Sequence, residues 1–209
     1  MGAFRFLIGL VAVSALTADA PLDDLLHGVE TRYNQAKSLQ VLFKEQYTPA
    51  GRPQRIEAGI LMLRRPGKMR WDYSQPKGKL FVGDGKNLWI YTPDDNRAEK
   101  MPMKESEDMR APLAFLLGKL NFRKEFQNIK AVPEGSSTRI TAEPKSDNLP
   151  YSEVEFVVTS DHQIREVKVI GFDKSIMDFT FDQERMDPKL DASLFQFQPP
   201  KGAQVEGGK

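Results

Sequence analysis

Residues 56–92 read IEAGILMLRRPGKMRWDYSQPKGKLFVGDGKNLWIYT. Ile56, Ala58, Ile60 and Met62 alternate with their neighbours, and Met69, Trp71 and Tyr73 alternate with Lys68, Arg70 and Asp72. An apolar period of two marks a half-buried strand. Pro66-Gly67 and Asp84-Gly85 punctuate the run. Asp84-Gly85 between two short apolar stretches is the strongest hairpin signal in the chain. The stretch therefore reads as a meander with strands at Ile56–Met62, Met69–Tyr73, Leu80–Val82 and Leu88–Thr92.

The same pattern extends outward. Leu39, Val41, Phe43 and Tyr47 alternate upstream. Downstream, strands are expected at Phe122–Phe126, Ile129–Val132, Thr138–Ala142, Val154–Val158, Ile164–Ile170 and Ile176–Phe181, with Phe195 and Phe197 in a last short one. Two helices accompany them. Pro21–Lys37 places Leu22, Leu25, Leu26, Val29 and Tyr33 at helical spacing, with Asp23 and Asp24 where the dipole favours them. Ala111–Lys119 reads APLAFLLGK, with Pro112 suited to a first turn and Gly118 to the end. A sheet this large curls, and if it does not close, its apolar concave face needs a cover. The expected fold is mainly β with two or three helices. It is an incomplete antiparallel β-barrel, a curved sheet of about 11 strands, closed by a helical lid over an apolar cavity. An ordinary packed core is the plainer reading of the same periodicity.

Residues 1–20, MGAFRFLIGLVAVSALTADA, carry Arg5, then an apolar run from Phe6 to Leu16, then small residues. The run is about 11 residues, short of the roughly 20 that span a membrane. This order is that of a secretory signal peptide. Cleavage after Ala15 or Ala18 fits, cleavage after Ala20 would awkwardly leave Pro21 first, and residues 21–209 are expected to form one exported, unanchored domain. Lys+Arg 30 against Asp+Glu 29 gives a net charge of +1, which offers no drive toward nucleic acid. With no cysteine, disulfides, thiol catalysis and a lipid-modified N-terminal cysteine are excluded. His27 and His162 are the only histidines, and neither has a clustered partner in sequence. HExxH, G-x-S-x-G and the P-loop are missing, and no Gly-Lys pair is followed by Ser or Thr. Neither an enzyme nor a cofactor or metal site is expected.

Three blocks then combine: LRRPGKMRWDYSQP from Leu63, LFVGDGKNLWIYTPDDNRAEK from Leu80, and LFQFQPPKGAQV from Leu194. Their order resembles the outer-membrane lipoprotein carrier family, LolA. The matching positions are Arg65-Pro66, Trp71, Gln75-Pro76, Val82, Asp84-Gly85, Leu88-Trp89, Tyr91 and Pro93. The resemblance is best over about 39–100, and 122–190 matches in pattern only. It implies a half-barrel with a helical lid, and a shuttle for acylated lipoproteins. The shuttle is loaded by an inner-membrane ABC transporter complex of the LolCDE kind and unloaded to an outer-membrane acceptor of the LolB kind. A monomer is expected. The related LolB acceptors are anchored through a cysteine, which this chain lacks.

By the same resemblance Arg65 is the latch that hydrogen-bonds across the mouth to the lid. A guanidinium offers five donors for the task. Arg64 lies on the opposite face, and alternation alone does not choose between the two. Phe43, Met69, Trp71, Trp89 and Tyr91 are expected to line the cavity or its rim, and Leu113, Phe115, Leu116 and Leu117 to form the lid's inner face. Met69 stands where some family members carry an aromatic residue. Plain core packing accounts for each of these side chains equally well. Burial gives about 0.8 kcal/mol per methylene, so complete burial of several acyl chains would make release impossible. Partial burial in an adaptable pocket is the expectation. The competing functions are a carrier of another lipid or glycolipid, a sensor on the same half-barrel, and an enzyme acting on lipid or glycan.

Overall fold

The computed structural model describes residues 19–103 and 120–207. The expected lid segment Ala111–Lys119, with Leu113, Phe115, Leu116 and Leu117, lies outside them. Twelve strands form one sheet, β1 (Ser38–Thr48), β2 (Arg55–Arg64), β3 (Lys68–Gln75), β4 (Leu80–Asp84), β5 (Asn87–Thr92), β6 (Arg97–Pro102), β7 (Phe126–Glu134), β8 (Ser137–Pro144), β9 (Tyr151–Thr159), β10 (Ile164–Gly171), β11 (Ile176–Met186) and β12 (Gln204–Gly207). Helix α1 (Asp19–Gln35) precedes them and the single turn α2 (Phe122–Glu125) stands before β7. The spatial order is β12-β6-β5-β4-β3-β2-β1-β11-β10-β9-β8-β7, so the sheet has two ends and does not close. It is the curved, incomplete barrel the periodicity predicts.

Each hairpin follows its turn residues. Asp84 Oδ1 accepts from the N–H groups of Lys86 and Asn87, both at 2.7 Å, and Gly85 takes φ +98, where a side chain would be strained. Register carries one apolar face across the whole sheet. Leu61 lies opposite Val41 and Trp71, Trp71 opposite Phe81, and Phe43 opposite Phe181. On the far side Phe156 lies opposite Ile140 and Val167. Against this concave face α1 packs Leu26, Val29 and Tyr33, all buried.

Three expectations change. Phe122–Phe126 is not a strand, because Asn121 caps a helical turn by accepting from Lys124 N at 2.9 Å; the strand starts at Phe126. Phe195 and Phe197 do not form a strand. Asp191 caps a 3-10 turn over Ala192–Phe195, and Pro199 and Pro200 lack the N–H a ladder needs. The last strand is β12, paired parallel to β6. Polar β6, RAEKMP, falls in a stretch where no apolar alternation signals a strand.

Candidate functional site

The site grows from the register at the centre of the sheet. Phe43 meets Trp71 edge-on with centroids 4.8 Å apart and Tyr73 at 5.1 Å. Trp71 continues to Phe179 at 5.8 Å, and Phe179 stacks on Phe181 at 6.1 Å. Edge and stacked pairs of this kind add about 0.5–1.5 kcal/mol each beyond buried area. Met69 shares the face, opposite Leu63 and Gly83. A Cβ on Gly83 would stand 3.0 Å from Met69 Cγ and 3.1 Å from Met103 Sδ, so the glycine makes room for two flexible thioethers. Met101 and Met103 pack on the same core. The concave wall therefore runs from a rigid aromatic centre to a methionine corner. Phe179, Phe181 and Met103 are lining residues that sequence reasoning missed; tracing alternation through Ile176–Phe181 as a facing strand supplies the first two.

Polar groups interrupt this wall at the β1–β2 end. Glu45 is buried, and Tyr73 OH reaches it at 3.5 Å. Lys79 Nζ donates to both oxygens of Glu57 and sits over the Tyr73 ring at 4.6 Å.

Trp89 and Tyr91 are on the other face. Val82 stands opposite Trp89 and Leu80 opposite Tyr91, and these neighbours point away from Phe81 and Trp71. Strand parity decides this, because Leu88 and Ile90 take the concave positions of β5. The convex pair is covered by Phe197, with centroids 5.5 Å from Trp89 and 5.8 Å from Tyr91. The expectation that Trp89 and Tyr91 line the cavity is corrected accordingly. Phe197 belongs to a C-terminal strap, residues 187–207, that crosses the convex side. Arg64 Nη1 donates to Leu190 O at 3.2 Å and Arg70 Nη1 to Leu194 O at 3.1 Å.

Arg65, one residue on, serves the concave side. Its Nη2 donates to Tyr33 O at 2.8 Å, in the last turn of α1. Terminal carbonyls of a helix lack internal donors, and a cation there also suits the dipole. Burial pushes the Arg65 guanidinium down from its ordinary value. Tyr33 is held at its other end too. Its phenol donates to Glu184 Oε2 at 2.7 Å and accepts from Ile164 N at 2.9 Å. Burial, then the neighbouring Glu184 carboxylate, raise the phenol far above its usual value. Arg32 closes the network with Nη2 to Glu184 Oε1 at 2.7 Å. Asn34 pairs with Leu120 by two bonds, at 2.7 and 2.6 Å, and Glu30 Oε1 accepts from Phe122 N at 2.7 Å. Helix α1 is thus fastened both to the sheet and to the chain at 120–122.

Between α1 and the sheet little space remains. A void of about 10 Å³ is bounded by Tyr33, Leu39, Val41, Leu61, Ile164, Phe181 and Glu184. That is the size of one water, far below the several hundred Å³ of a ligand pocket. At this point α1 lies directly on the sheet, with room for no more than a water between them.

This geometry meets the family comparisons at one point. The model of the outer membrane lipoprotein carrier protein LolA matches residues 34–198, which include β1–β11 and Arg65. The chain belongs to the LolA family. The outer-membrane lipoprotein carrier protein of Chromobacterium violaceum is 29% identical over 206 residues, covering 96% of this chain and 92% of that one. That of Methylobacillus flagellatus is 26% identical over 206 residues, covering 97% and 99%. A Thermus thermophilus crystal structure, titled an uncharacterized conserved protein, shares the fold. It has TM-score 0.52 and 14% identity, over 88% of this chain and 98% of that one. No helix among the described residues of this LolA-family chain is long and apolar enough to cross a membrane.

Proposed function

We propose that this chain is a periplasmic carrier. It takes up the acyl chains of lipoproteins released from the inner membrane and delivers them to the outer membrane. The observation that carries the reading is the apolar concave face of a sheet that does not close, covered by a helix that Arg65 fastens. Phe43, Met69 and Trp71 are the wall an acyl chain meets. Arg65 is the latch. The lid expected from the sequence at 111–119, with Leu113, Phe115, Leu116 and Leu117, lies outside the described residues. The partners on this reading are an ABC transporter complex that loads the carrier and an acceptor at the outer membrane. Uptake exchanges contacts with the cover for contacts with acyl methylenes, each worth about 0.8 kcal/mol when fully buried. Because both states bury much of the wall, the net gain is modest and the cargo can leave.

The test is mass spectrometry of tagged full-length protein purified from the periplasm without detergent, wild type beside Arg65→Leu. Acylated lipoproteins in near-stoichiometric amounts, changed by the substitution, support both carrier and latch. A single class of free lipid with no lipoprotein overturns the cargo assignment.

A further inference from the structure

On the solvent side of Arg65 lies a feature the carrier reading does not use. An open trough of about 750 Å³ runs between the end of α1 and the start of the C-terminal strap. Its size is that of a small-molecule site. Lys37, Arg64, Arg65 and Lys189 line it, and Asp187 is the one carboxylate among its described lining residues. Asp187 is already committed, because its Oδ1 accepts from Lys37 N at 2.6 Å and Ser38 N at 3.1 Å. Asp191, beside Arg64, accepts from Ser193 N at 2.8 Å. Four basic residues and one carboxylate thus line a single trough in a chain whose net charge is only +1. Arg65 borders the trough and also the small pocket beneath α1 with Tyr33, Leu39 and Leu63.

We propose that the trough binds a phosphate group, of a phospholipid headgroup or of free phosphate, and that the bound anion draws Arg65 from Tyr33 O and so releases the latch. Two guanidinium forks and two ammonium groups suit an oxyanion with several acceptor oxygens. The competition favours it, since an anion adds charge–charge attraction and a bidentate geometry that a single neutral carbonyl does not offer. Loading is then permitted where phosphate esters are dense, at a membrane surface. This coupling rests on the latch reading of Arg65.

The experiment titrates the full-length protein at fixed ionic strength with inorganic phosphate and, separately, with glycerophosphoglycerol, a headgroup without acyl chains. Calorimetry reads binding and bis-ANS fluorescence reads access to the apolar interior. Wild type is compared with K37Q/K189Q, which alters two exposed side chains away from the latch, and with R65L. The proposal expects saturable binding that K37Q/K189Q weakens at least tenfold at unchanged Tm, and a dye signal that rises with occupancy. A preference of tenfold or more for either probe identifies the source. No binding by wild type, or equal binding by K37Q/K189Q, overturns the site. Binding with a flat dye signal overturns the coupling. If R65L without any anion takes up no more dye than wild type, the latch reading itself is what fails.

Discussion

Tyr33 and Arg65 meet where the helical cover joins the barrel, and each does more than fill space. Removing the Arg65 guanidinium leaves the Tyr33 carbonyl without that donor at the end of α1. A hydrogen bond to a charged group is worth about 1.5–3 kcal/mol, so Arg65→Leu should raise bis-ANS uptake by the empty protein several-fold. Tyr33→Phe keeps the ring and removes the hydroxyl that serves Glu184 and Ile164 N. Leaving those partners buried costs about 1–3 kcal/mol, read as a lower urea midpoint with unchanged m-value. Asp187 gives a pH signature. The N–H groups of Lys37 and Ser38 hold its carboxyl below the usual range. A depressed folded-state pKa means the contribution is complete above the unfolded value, about 4, and is lost as pH falls through the folded one. Thermal scans from pH 6 down to pH 2 should show a smaller acid-induced loss of Tm in Asp187→Asn than in wild type.

At the scale of elements, α1 sits on the β9–β10 turn through a glycine. A Cβ at Gly28 would fall 2.3 Å from His162 Nε2, so Gly28→Ala must push the imidazole or the helix aside. Gly28→Ala should loosen α1, and adding His162→Ala should restore it, a non-additivity that hydrogen exchange of α1 amides measures directly. The strap makes a second test. Phe197→Ala uncovers Trp89 and Tyr91 on the convex face. It should red-shift the emission of Trp89 and lower stability while leaving acyl-ligand binding within twofold. A large loss of binding would return those rings to the cavity. This element also marks what a single sequence reveals. Met69, Trp71 and Phe43 were legible because period two is local and each lies in a strand bounded by clear turns. Trp89 and Tyr91 alternate just as cleanly, and alternation says that two faces exist without saying which is concave. That choice depends on registers across four strands and on a strap from the far end of the chain. Strand β6 was hidden for a related reason: its pairing with β5 is supplied by backbone groups, which leave no apolar pattern. Arg65 was distinguishable from Arg64 only by resemblance, since alternation does not say which of two neighbouring arginines reaches the helix, and Arg65 stands just past the end of β2.

For the whole molecule, the close seating of α1 on the sheet bears on the energetics of loading. With about 10 Å³ free where α1 meets Leu39, Val41, Leu61 and Phe181, an acyl chain reaches that part of the wall only by displacing the helix. A synthetic diacylated lipopeptide that binds only the native state should raise Tm with concentration, approaching about 2.7 kcal/mol of stabilisation at 100-fold excess over Kd. Its absence across a millimolar range would count against a lipid-carrying interior.

The sheet order carries a consequence for biosynthesis. Its central seam joins β1 to β11, pairing Leu39 with Met186 and Phe43 with Phe181. No cover can settle and no barrel can curl until nearly the entire chain has left the ribosome. Topology of such long sequence separation folds slowly. On the carrier reading proposed above, with residues 1–20 as an export signal, that delay keeps the polypeptide threadable through a narrow translocation pore and lets it acquire its lipid-binding shape only on arrival.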